Sequence, residues 1–312
     1  MLSSAVMSAR FCQFISAMAL MGLPLFFLYG FPAAGACPKR TEMLGRLLLI
    51  IFSAALGVSA VVSLMAQAAV MTDTPSDAFA PEMLWSVVED TGFGHAMTVR
   101  LIATMFAIGI VLRASPSRAS WALLSVSGTV AVASFAWTGH GVADEGTLGL
   151  LHLGSDVLHL LAAAAWFGAL LAFTLLFYQS HIALASDEIK TIHAALHGFS
   201  GVGTWLVGVL LATGLANSLL LVGPSPVDQL AQSPYGLLLS IKVILFAMML
   251  GLAAANRFVH TPRLAREIDN RTATLAAFST LRRSITWEMI LGVVVVAIVA
   301  ILGTLEPPAG GN

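Results

Sequence analysis

Runs of apolar residues, each about as long as a bilayer is thick, recur along this chain and leave little room for anything else. A membrane-crossing helix needs about 20 predominantly apolar residues. Such runs fall near 11–31, 46–70, 96–113, 119–139, 148–178, 198–222, 235–256 and 285–305. Only 10% of the 312 residues are charged, against about 25% in soluble chains. The predicted fold is therefore an all-α polytopic membrane protein of eight transmembrane helices. The fifth run is overlong and is expected to tilt or project. "PEMLWSVVED" (81–90) reads as a short amphipathic helix on the membrane face. No basic tract offers a footing for nucleic acid, and every polar stretch is short.

The loops predict orientation, because Lys and Arg accumulate on the cytoplasmic side. Lys39, Arg40 and Arg46 fall in or beside the first loop, Arg113 and Arg118 in the third and Lys190 in the fifth. Arg257, Arg263, Arg266, Arg271, Arg282 and Arg283 fall in or beside the seventh. The even loops carry Asp73, Asp77, Glu82, Glu89 and Asp90, then Asp144 and Glu145, then Asp228. Both termini are expected outside, which is the periplasm in a bacterium. The first run exceeds the usual signal-peptide core of about 7–15 residues, so it is read as a retained span. Cys12 and Cys37 stand near its two ends, roughly 37 Å apart on a continuous helix and far beyond disulfide reach.

Against this apolar background, "GHGVADEGTLGLLHLGSDVLHLLAAAAWFG" (139–168) is conspicuously polar. His152, Asp156 and His159 stand at i, i+4 and i+7, one helix face, and Trp166 follows on the same stripe. His140 closes the fourth run and Glu145 lies in the short loop between. Imidazole suits copper, zinc, iron or nickel, and ionisable groups in a bilayer mark pathways, cofactor sites or ion pairs. The bland reading is that His152 stays wet near the surface, with Asp156 paired to Arg100 or Lys242, the deepest cations. Met65, Met71 and His95, near the outer ends of their spans, form a possible secondary metal site or entrance. The remaining histidines, His181, His193, His197 and His260, read as solvated residues of the basic loops. No nucleophile–base pair or nucleotide motif appears, so an enzyme is not expected.

The halves echo each other. "QFISAMALMG" (13–22) parallels "HLLAAAAWFG" (159–168), aligning Gln13 with His159 and Gly22 with Gly168. "GHAMTVR" (94–100) parallels "GLLLSIK" (236–242), aligning Arg100 with Lys242. Trp121 precedes His140, and Trp287 precedes Glu306, by the same spacing. Two parallel four-helix repeats, 1–143 and 144–312, are expected, related by an axis along the membrane normal.

"TGHGVADEG" (138–146), "HLGSDVLHLLAAAAWFGALL" (152–171), "YGLLLSIKVILFAMMLGLAAANRFVHTPRL" (235–264) and "TLEPP" (304–308) resemble the bacterial copper-resistance D family, CopD/PcoD. The likeness implies an inner-membrane protein that moves copper from periplasm to cytoplasm beside a small periplasmic carrier of the CopC type. By that likeness the family's motifs fall on His140, Glu145, His152, His159, Trp166 and Lys242. Where family members carry an early His, this chain has Gln13. The expected metal site is then His140, Glu145, His152, Asp156 and His159, holding Cu(II) or Cu(I), with Gln13, Arg100, Lys242 and Trp166 as structural or charge partners. Mixed imidazole and carboxylate ligation favours Cu(II), thioether Cu(I). The alternative is a membrane cytochrome, with His140 and His159 as axial haem ligands.

Overall fold

The computed structural model describes residues 2–31, 37–72, 79–138, 146–179, 186–222, 233–267 and 270–305. Among them are helices α1 (Leu2–Gly30), α2 (Lys39–Thr72), α3 (Pro81–Asp90), α4 (Gly92–Arg113) and α5 (Arg118–Ala133), the last closing in a 3-10 turn, Ala136–Thr138. After these come α6 (Gly146–Gln179), α7 (Ser186–Val222) and α8 (Pro234–Ala255). A π-helical turn, Asn256–His260, leads into the short α9 (Thr261–Arg266), and α10 (Arg271–Leu302) follows. Eight helical stretches are long and apolar enough to cross a membrane, and no strand occurs among the described residues. The short α3 matches the expected amphipathic segment, with Val87 buried and Trp85 exposed.

Three helices start well before their apolar runs. α1 begins at Leu2, α7 at Ser186 and α10 at Arg271. Hydropathy locates bilayer-crossing residues, whereas intrahelical hydrogen bonds extend the helix past them into polar sequence. His193 and His197, expected in a loop, therefore lie on α7, and His260 lies in the π-helical turn. Arg282 and Arg283 are likewise inside α10.

α1 and α6 form the centre. α1 packs on α2, α5, α6 and α10, and α6 also packs on α7 and α10. Glycine makes the central crossing possible. A Cβ on Gly22 would lie 2.7 Å from the Gly168 Cα, and one on Gly168 would lie 2.2 Å from the Gly22 Cα. Gly128 of α5 meets the α1 backbone at Met21 in the same way. Helices in lipid gain little from apolar burial against each other, so close backbone approach through small residues supplies the packing. Toward one end the seam fills with aromatic rings. Phe26 meets Phe173 edge-on at 4.9 Å between centroids, and Phe173 meets Phe199 at 5.6 Å. Basic side chains there cap carbonyls that helix ends leave open: Arg118 donates to Leu28 O at 3.1 Å, and Arg46 donates to Val111 O.

The two halves differ in closure. α4 packs along α2, but α7 and α8, the corresponding pair, share no such seam. The second half is open between them.

Candidate functional site

The helical period of α6 carries His152, Asp156 and His159 along one face, and α7 supplies their described partners. Asn217 Nδ2 donates to Asp156 Oδ1 at 3.4 Å, and Ser155 Oγ donates to the Thr213 carbonyl at 3.4 Å. His159 Nδ1 lies 2.9 Å from Thr213 Oγ1, while the Thr213 hydroxyl lies 2.6 Å from the Val209 carbonyl. Thr213 has one hydroxyl proton, and a carbonyl can only accept, so that proton goes to Val209. His159 must then donate from Nδ1, which leaves the Nε2 lone pair for a ligand. Gly214 faces the ring: a Cβ there would sit in ordinary contact, 3.5 Å from His159 Cε1. The Asn217 Oδ1 atom is buried with no hydrogen-bond partner.

Lys242 of α8 is half-buried, within electrostatic reach of both Asp156 and His159. His152 is only 2% exposed, so the expectation of a wet imidazole is corrected: protein surrounds it. His140 and Glu145 lie outside the described residues. Among the described residues no three His, Cys, Asp or Glu side chains gather closely enough to hold one metal ion. Met71 and His95 are exposed, and Met65 is half-buried.

Arg100 takes no part in this cluster. It is fully buried, donates from Nε to Ser134 Oγ at 3.0 Å and from NH1 to Gln13 Oε1, and lies 3.7 Å from the Phe135 ring centroid. Gln13 Nε2 in turn donates to Ser63 Oγ at 2.7 Å and to the Ser59 carbonyl at 3.0 Å. Of the two cations considered for Asp156, the fold brings up Lys242 and gives Arg100 to Gln13.

Deeper along the α6 stripe, Trp166 Nε1 donates to Glu288 Oε1 at 2.9 Å. Asn256 Nδ2 donates to Glu288 Oε2 at 3.1 Å. Glu288 was missed in the sequence, although it is an acidic residue inside the eighth apolar run and visible as such. Asn256 and Thr213 had no comparable signal. Outside the spans, burial, reinforced by the Glu42 carboxylate, pushes the Cys37 thiol up to about 12. Cys12 and Cys37 are both free.

The fold is thus a bundle with eight membrane-length helices and a polar cluster on its central helix, that of a polytopic membrane protein. Residues 1–150 match the family model for the copper resistance protein D-like N-terminal domain, and residues 193–302 match that for copper resistance protein D. The chain is 34% identical over 302 residues to copper resistance protein D of Pseudomonas syringae pv. tomato, covering 96% of each chain. It is 30% identical over 309 residues to the inner membrane protein YebZ of Escherichia coli (strain K12), covering 98% of this chain and all of that one. A third likeness, 30% over 178 residues, spans 55% of this chain and 28% of the copper transport protein CutJ of Bacillus subtilis (strain 168). No solved structure matches. The chain belongs to the copper resistance protein D family.

Proposed function

We propose that this protein sits in the bacterial inner membrane and carries copper from periplasm to cytoplasm. The transit site is on α6, with His159 Nε2 and the Asp156 carboxylate as its donors and His152 beside them on the same face. His140 and Glu145, with Met65, Met71 and His95, form the periplasmic entrance, where a small carrier of the CopC type delivers the ion. Both termini face the periplasm, and the chain is two four-helix repeats, 1–143 and 144–312. The relatives named for copper resistance and copper transport support the cargo, and the one named an inner membrane protein supports the location.

One observation carries the site: the His159–Thr213–Val209 chain that turns Nε2 into a free lone pair. Lys242 gives the reading a switch. With no metal, the ammonium balances Asp156, and an arriving cation competes with it for the carboxylate. Transport then needs no ligand to change its protonation at the moment of binding.

Copper uptake into proteoliposomes tests this. Wild-type protein is expected to take up copper, and His159→Ala to lose most of that uptake while keeping its thermal transition. Uptake unchanged in His159→Ala would reject the site. An absorption spectrum of the purified protein separates this reading from a haem-binding cytochrome, which alone would give a Soret band.

A further inference from the structure

The opening between α7 and α8 is a cavity of about 620 Å³. It lies toward the end of the bundle that carries Lys190, Arg263, Arg266 and Arg271, the end opposite His152. Phe173, Phe199, Leu250 and Phe258 make its walls largely apolar. Its polar lining includes Trp166, His193, His197, Asn256, Arg257 and Glu288. His197 and Arg257 are exposed, His193 is half-buried, and Glu288 is only 3% exposed. One cavity therefore joins the exposed His197 imidazole to the buried Glu288 carboxylate.

Among the described residues, the charged or titratable groups that line the cavity with that carboxylate are His193, His197 and Arg257. On α7, His193 and His197 stack on each other, with ring centroids 6.5 Å apart. On the π-helical turn, Arg257 donates to the Ser200 carbonyl at 3.0 Å and to the Thr204 hydroxyl, so its guanidinium is engaged with α7. From α6 and the π-helical turn come only the neutral donors Trp166 and Asn256. Among the described residues no cation is paired with Glu288.

Asn256 is the telling neighbour. It is only 8% exposed, and its Oδ1 atom is buried with no hydrogen-bond partner while Nδ2 donates to Glu288. An orphaned buried acceptor is costly, so this arrangement is not the best one the amide could have in isolation. The same amide, turned over, would present Oδ1 to Glu288 Oε2 and accept a hydrogen bond from the protonated acid. The pair thus has two complementary arrangements. An ionised carboxylate accepts from Nδ2, and a carboxylic acid donates to Oδ1. Trp166 can donate to Oε1 in both. The π-helical turn places Asn256 here, a local widening of the kind found frequently at functional sites.

We propose that Glu288 is a proton-binding site, exchanging its proton through this cavity, and that the proton moves as the coupling ion for the metal. In the step, a water-borne proton entering past His197 and His193 binds Oε2 and stays there, and the Asn256 amide turns so that Oδ1 accepts the new O–H hydrogen bond. Release reverses both changes. Trp166 lies seven residues beyond His159 on α6, about 10 Å of helix rise, so one rigid rod touches both the metal donor and the proton site. The coupling half of the proposal rests on the copper-transport reading; the proton site itself does not.

Infrared spectra of the full-length protein in lipid, recorded between about pH 5 and about pH 9, test the site directly. A carboxylic-acid carbonyl band that grows as pH falls is expected in wild type and absent in Glu288→Gln. Trp166→Phe removes one donor to the anion, so its band should persist to higher pH. A wild-type band surviving in Glu288→Gln, no band in wild type, or an unmoved midpoint in Trp166→Phe would overturn the site. Trp166→Phe also serves if Glu288→Gln fails to fold, since a purely structural bond would move no titration.

Coupling is read in proteoliposomes carrying an internal pH dye. Copper-driven proton movement is expected in wild type and at least about tenfold less per copper ion in Glu288→Gln; equal movement overturns coupling. If wild type takes up no copper, the transport reading and coupling fall together, and the infrared result alone decides the proton site.

Discussion

Arg100 shows how one residue can be settled by its contacts rather than its charge. A buried guanidinium without a carboxylate is costly, and this one is met by Gln13, Ser134 and a Phe135 ring face. Each contact uses a different part of a planar fork, which an ammonium cannot copy. Arg100→Lys is therefore expected to destabilise the protein by about 1–3 kcal/mol, read as a lower thermal transition in detergent. Cys37 makes a second prediction. A thiol pushed up to about 12 by burial and Glu42 is almost wholly neutral near neutral pH, and the neutral thiol is a poor nucleophile. Alkylation at about pH 8, followed by mass spectrometry, should be slow at Cys37. Glu42→Gln removes the anion that opposes the thiolate and should speed it; an unchanged rate would sink the assignment.

For the helices, the decisive contact is the crossing of α1 and α6. A methyl group on Gly168 would fall 2.2 Å from the Gly22 Cα, where neither backbone can yield locally. Gly168→Ala should therefore push the two central helices apart, at about 1–3 kcal/mol for overpacking. Thermal unfolding should report the loss, and Gly154→Ala, where a Cβ meets nothing within 4 Å, is the control on the same helix. Equal stability of the two variants would mean that the crossing is not as tight as it stands here. The crossing matters for function because α6 carries both His159 and Trp166; a shift of α6 moves the two together.

In the whole molecule, the arrangement is lopsided between the first four spans and the last four. Gln13 reaches Ser63 and Arg100 in one, and His159 reaches Thr213 and Lys242 in the other. The first trio is locked by hydrogen bonds into a closed seam. The second leaves the His159 Nε2 lone pair for a ligand, while α7 and α8 stand apart toward the opposite end of the bundle. The proposed orientation belongs to the same scale, since it rests on which loops carry Lys and Arg. Reporter fusions test it: a cytoplasm-dependent fluorescent protein joined after Gln179 should light up, and one joined after Leu305 should stay dark. The opposite pattern would reverse the proposed direction of transport.

The sequence by itself determined the number of spans, the α6 stripe and the cations that could enter the bundle. Each depends on residues within one helix, where run length and the 3.6-residue period are enough. It could not choose Lys242 over Arg100 as the neighbour of Asp156, nor join Trp166 to Glu288 and Asn256. In lipid an apolar helix shows little difference between its buried and exposed faces, so hydropathy does not reveal how it is rotated. Only the packing, set by glycines that let α1 and α6 touch, turned particular faces toward each other. That packing decided which polar residues became partners and left the second half open.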